Sequence, residues 1–96
     1  MPERRELPPG LAECRAEIDM IDAEIVRLLS ARLGIVMRAA SIKHAAGLGF
    51  HDEERENVIL DCAVERAEEF SLPKKQVRKI FRQILRISEK SQAEGD

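Results

Sequence analysis

Between residues 11 and 46 the sequence runs without a proline and with a single glycine, Gly34. Over that stretch Leu11, Cys14, Ile18, Ile21, Ile25, Leu28, Ile35, Ala39 and Ile42 recur in steps that alternate three and four, and Arg32 falls in the same series. This is the period of a helix that meets another helix along one seam. The spacing predicts one helix of about 35 residues, roughly 50 Å long at 1.5 Å rise per residue. So long a rod outruns what two short helices of the same chain cover completely, and a second copy alongside it is expected.

The punctuation of the rest predicts two further helices. Gly47, Gly49, His51 and Asp52 break the first helix, and Asp52 is a plausible N-cap for a second one running to about Phe70. Glu53 and Glu54 suit its positive end. Ser71 and Pro73 mark another stop and restart, after which Val77, Ile80, Phe81, Ile84, Leu85 and Ser88 share one face of a third helix. Residues 1–10, with Pro2, Pro8, Pro9 and Gly10, form a breaker-rich lead-in expected to be loose or extended, and the final AEGD is expected to fray. The reading is all-α: a three-helix protomer with one long first helix, a single domain over residues 11–94, in a helical homodimer.

Composition narrows the function classes. The chain is 96 residues long, 44% hydrophobic and 35% charged, with three aromatic residues, no Trp and no Tyr, which suits helices over sheets. A chain this short buries a smaller share of its surface than a larger domain, so its core is expected to be shared. Sixteen basic against eighteen acidic side chains leave a net charge of −2, which advertises neither nucleic acid nor an anionic membrane. No apolar run is long enough to span a bilayer, and the basic residues of MPERRELPPG have no apolar stretch behind them, so a cytoplasmic location is expected. Cys14 and Cys62 are far apart with no CxxC pair, and both are expected to be small buried hydrophobes rather than a disulfide or zinc framework.

A set of polar residues is left over by this packing. Arg32 occupies a seam position, where an unpaired guanidinium costs several kcal/mol of desolvation. It either sets register or snorkels, or it waits for an anion. Lys43, eleven residues on, lies about 20° away around the helix and about 16 Å along it. Arg15 is roughly 26 Å up the same rod, too far to clamp one small ligand with Arg32. An antiparallel second copy removes that obstacle by bringing Arg15 of one chain toward the Arg32 and Lys43 region of the other, giving two equivalent sites per dimer. Asp52, Arg55 and Glu56 stand at i, i+3 and i+4, as a shared pocket or as an ordinary N-terminal charge cluster. Ser88 and Gln92 are spaced i, i+4, with Ser88 on the apolar face, where a hydroxyl wants a partner. His44 and His51 flank the interhelical loop and, with Asp52, are imaginable metal ligands, yet no compact motif supports a metal. No phosphate loop, nucleophile elbow or Cys–His pairing is present.

Taken in order, Arg15, Arg32, Lys43, Asp52, Arg55, Glu56, Ser88 and Gln92 resemble the active-site set of the all-helical chorismate mutase family, with matching spacings from Arg15 to Gln92 and the same three-helix layout. The resemblance implies an intertwined homodimer that converts chorismate to prephenate with no cofactor and no metal. It implies that Arg32, with Arg15 acting from the partner chain, grips the two substrate carboxylates, that Ser88 assists, and that Arg55 supports the anionic end. Lys43 and Gln92 would hydrogen-bond the ether oxygen, and Glu56, with Asp52 beside it, would hold the ring hydroxyl.

Other readings remain. Relatives on this scaffold act on 4-amino-4-deoxychorismate, and Glu56 suits an amine as well as a hydroxyl. Others eliminate pyruvate from isochorismate, but these lack acids matching Asp52 and Glu56. From a different class, a non-catalytic dimerisation module would use Arg32 only for register. The chain is also compatible with being a fragment or partner subunit of a larger enzyme.

Overall fold

The computed structural model describes residues 6–49 and 51–94 and is all-helical among them: α1 (Leu11–Ala45), α2 (Glu53–Glu69) and α3 (Lys74–Glu94). The five residues at the start of the lead-in and the last two of the AEGD tail, whose looseness the sequence predicts, lie outside the described residues. Internal contacts divide the chain into two units, one reaching to Arg32 and one beginning at Leu33, so the boundary falls within α1.

The first unit contains the turn that opens α1. The Leu11 amide donates to the Pro8 carbonyl at 3.2 Å, and Gly10 has φ +85. Pro9 and Gly10 therefore occupy the two central positions of a type II turn, the second of which demands a left-handed residue. The end of the lead-in is thus ordered into a turn rather than extended. Gly10 then caps α1, its carbonyl accepting from Cys14 N at 3.1 Å. Along this part of the helix the expected seam is bare in the single chain: Ile18, Ile21, Ile25 and Leu28 are between 51% and 60% exposed. Cys14, expected to be buried, is exposed for the same reason, because it belongs to that seam.

The second unit holds the end of α1 together with α2 and α3. The face of α1 that is covered here runs through Leu33, Val36, Met37, Ala40 and Lys43, not through the exposed seam residues Ile35 and Ile42; Ala40 is 5% exposed. The helix closes in a Schellman motif. Leu48 N donates to Lys43 O at 2.8 Å and Gly47 N to His44 O at 3.0 Å, with Gly47 at φ +76. Glycine takes this left-handed position without steric cost.

Asp52 is the N-cap of α2 in extended conformation, its Oδ1 accepting from Arg55 N at 3.0 Å. The end of α2 repeats the Schellman pattern on a different residue: Leu72 N donates to Ala67 O at 2.7 Å and Ser71 N to Glu68 O at 3.1 Å, with Ser71 at φ 57. The Pro73 carbonyl accepts the first bond of α3, from Val77 N at 3.1 Å. Proline serves here because that position needs no donor.

Interhelical packing joins α2 to α3. Glu68 of α2 meets Lys74 of α3 at 3.4 Å, and the start of α2 lies beside Glu89 late in α3, so the two run antiparallel. Their core is Leu60, Ala63, Ala67 and Leu85, with Ser88 buried among the polar residues. Val77, Phe81 and Ile84 are half-buried as their shared face predicts, whereas Ile80 of that face is 57% exposed. Alanines at the α2 contact let the two backbones approach, since the distance between packed helices follows the side chains between them. No helix among the described residues is long and apolar enough to cross a membrane.

Candidate functional site

The buried stripe of α2 runs Glu56, Leu60, Ala63, Ala67, in steps of four, three and four, so a carboxylate stands where the period asks for an apolar side chain. The facing stripe of α3 passes through Phe81, Leu85 and Ser88 to Gln92, changing from apolar to polar in its last turns. Because α2 and α3 are antiparallel, both polar stretches fall at the same end of the pair. An interior that turns polar at one end, with its polar groups half-covered, is the local property that a site for a polar small molecule needs.

Within that end each group has a definite setting. Glu56 is held by the first turn of α2, its side chain 26% exposed, and His51 Nδ1 stands 3.2 Å from its Oε2. Asp52 is exposed and commits Oδ1 to capping the helix through Arg55 N, so its capping role is structural whatever else it does. Arg55 itself is exposed. Ser88 Oγ donates to Ile84 O at 3.2 Å, which satisfies the buried hydroxyl within its own helix. Gln92 is half-buried one turn further on. Lys43 is half-buried in the last turn of α1. In the first unit, Arg15 is exposed on α1 and Arg32 is half-buried beside the exposed seam.

The structure also brings together residues that the sequence does not connect. His51, Glu56 and Glu89 each place a potential ligand atom within 4.8 Å of the others. Of His44, His51 and Asp52, imaginable as ligands from the sequence although no motif supported a metal, only His51 belongs to the cluster. Glu89 carries no signal in the sequence, because its neighbourhood to Glu56 depends on the antiparallel register of α2 and α3. At the opposite end of the pair a cavity of about 570 Å³ is lined by Asp61, Val64, Glu65, Lys74, Lys75 and Arg78. None of the residues singled out from the sequence lines it. Its walls are exposed or half-buried charged residues around Val64, and it lies open to solvent, without the enclosure of an ordinary ligand pocket.

Comparison with known proteins bears on the family of the chain. A family model described as chorismate mutase type II matches residues 14–93. The T-protein of Haemophilus influenzae is 31% identical over 79 residues, which is 82% of this chain and 21% of that protein. The bifunctional chorismate mutase/prephenate dehydratase of Aquifex aeolicus is 47% identical over 51 residues, 53% of this chain and 14% of that protein. The chorismate mutase of Methanocaldococcus jannaschii is 41% identical over 51 residues, 53% of this chain and 52% of that protein. The chain therefore spans between 14% and 52% of the length of these relatives. No solved structure matches the chain at a comparable level of significance.

Proposed function

Since the chain belongs to the type II chorismate mutase family, we propose that it catalyses the intramolecular [3,3] rearrangement of chorismate to prephenate as a homodimer, with residues 11–94 as one catalytic domain. The observation that carries this reading is the family match across residues 14–93, which spans both stripes of the α2 and α3 pair, including Glu56, Ser88 and Gln92 at their polar end.

The chemistry asks for little beyond shape and charge. In the rearrangement the ether C–O bond breaks as a C–C bond forms, and no atom enters or leaves. The reaction uses no nucleophile and no general base. It needs the substrate folded over itself and relief for negative charge growing on the ether oxygen. Arg32 and the partner chain's Arg15 supply the first by gripping the two carboxylates, since a bidentate guanidinium fixes orientation as well as charge. Ser88 assists this grip and Arg55 supports the anionic end. Lys43 and Gln92 supply the second. Donors aimed at charge that appears only in the transition state lower the barrier instead of merely tightening substrate binding. Glu56, with Asp52 beside it, accepts from the ring hydroxyl.

The bare seam of α1 supports the dimer. In the first unit Ile18, Ile21, Ile25 and Leu28 follow one another in steps of three and four, and in the second Ile35 and Ile42 stand seven apart, each more than half exposed in the single chain. Covering them with a second α1 buries apolar area at about 25 cal/mol per Å².

A second substrate is favoured by one observation. Glu56 Oε2 lies 3.2 Å from the Nδ1 atom of His51, so the carboxylate already faces a nitrogen, and 4-amino-4-deoxychorismate would present an amine where chorismate has its hydroxyl. Assaying the purified chain on the two compounds side by side tests both readings. Saturable formation of prephenate from chorismate is expected. Faster turnover of the amino compound would transfer the activity to that substrate, and no turnover of either would leave a dimerisation module.

A further inference from the structure

We propose that His51, Glu56 and Glu89 form a binding site for a zinc-like transition-metal dication, and that the ion inhibits the enzyme by occupying Glu56. The three residues come from three places in the chain: the loop before α2, the first turn of α2 and the late part of α3. Their potential ligand atoms nevertheless lie within 4.8 Å of one another.

The separation of the first two is already that of ligands on one ion. Zinc holds imidazole nitrogen and carboxylate oxygen at about 2.0–2.2 Å, so two of its tetrahedral ligands stand roughly 3.4 Å apart. His51 Nδ1 and Glu56 Oε2 are 3.2 Å apart. Glu89 needs only a side-chain rotation to close the third edge, which its exposed position allows. Glu56 is the fixed member, half-buried on the stripe of α2.

The donor set is one imidazole and two carboxylates, which leaves a fourth position for water, as in zinc sites with three protein ligands. The nitrogen ligand discriminates against magnesium, which prefers octahedral oxygen. On binding, the ion takes the place between Nδ1 and Oε2, and the imidazole carries its proton on Nε2. The inhibitory half of the proposal rests on the reading above in which Glu56 receives the ring hydroxyl; the binding half does not.

Titration calorimetry of the full chain with zinc chloride tests the binding half. One saturable zinc per chain is expected, with no comparable uptake of magnesium. His51→Gln and Glu89→Gln should each weaken it by at least about tenfold, the loss that removing even an outer-shell support of a metal ligand brings. Zinc binding equal to wild type in both variants, with the ion held elsewhere such as at exposed Cys14, overturns the site, as does the absence of saturable binding. In the chorismate assay zinc should raise the apparent KM of wild type. Glu89→Gln should keep the metal-free KM and lose the zinc sensitivity. Binding as expected with an unmoved KM overturns inhibition, whereas zinc binding by a chain that turns over no chorismate retains the site and rejects the mutase reading.

Discussion

Lys43 shows how a single charge gains its leverage from position. It stands half-buried in the last turn of α1, where a cation is favoured by the helix dipole and partly withheld from water. Donating there to an oxygen that becomes anionic only during reaction, it would act mainly on kcat. Lys43→Ala is expected to lower kcat by about 10³-fold, the scale of losing one preorganised donor, with the helical circular dichroism unchanged. Turnover at the wild-type rate in that variant removes Lys43 from the mechanism. An exposed pair on the same helix shows the opposite limit. Arg27 hydrogen-bonds Glu24 through Nε at 2.9 Å and holds that carboxyl below its ordinary value. A carboxyl depressed in the folded state adds stability above its unfolded pKa and loses it as the pH falls through the folded value. Both side chains are more than half exposed, so solvent screens the pair. Arg27→Ala should therefore return the Glu24 midpoint upward in an NMR titration while the melting temperature at neutral pH scarcely moves.

The helix ends depend on a few residues that leave clear marks in the chain. Gly47 closes α1 in a left-handed position that glycine takes freely, and Asp52 opens α2 by accepting from the third helical amide. These were readable because breakers and caps act locally. Ser71 closes α2 in the same left-handed geometry, at φ 57, but with a side chain that resists it. Such a conformation costs an L-residue roughly 1–2 kcal/mol, partly offset in glycine by the larger entropy of its unfolded state. Ser71→Gly is expected to raise the unfolding free energy by about 0.5–1 kcal/mol, measured by urea denaturation; a lower value would show that the serine is held there by something beyond the turn. The face of α1 that the second unit covers was less legible. The heptad series through Ile35 and Ile42 and the adjacent series through Leu33, Val36 and Ala40 are both apolar. Periodicity alone does not say which of two apolar stripes the chain itself covers and which it leaves exposed.

At the scale of the molecule, what was legible in the site was whatever sat on the wrong kind of face. Ser88 declares itself as a hydroxyl on an apolar face and Arg32 as a charge on a seam, whereas Glu56 was legible only as one of a charge cluster with Asp52 and Arg55, its place on the buried stripe of α2 emerging from the fold. Glu89 was hidden, since only the antiparallel pairing of α2 and α3 brings it to His51 and Glu56. Arg15 is the residue whose role depends most on assembly, because in the proposed enzyme it serves the site of the other chain. That trans arrangement makes a quantitative prediction. Arg15→Ala and Lys43→Ala should each inactivate a homodimer, since every site then lacks one group. In a mixed dimer one site combines intact Lys43 from one chain with intact Arg15 from the other, while the second site carries both lesions. Equal amounts of the two variants, unfolded and refolded together, give half mixed dimers by random pairing, each with one of two sites restored. Activity should therefore recover to about a quarter of wild type. Were Arg15 to act within its own chain, every site in every dimer would still carry one lesion. Refolding the mixture would then restore nothing.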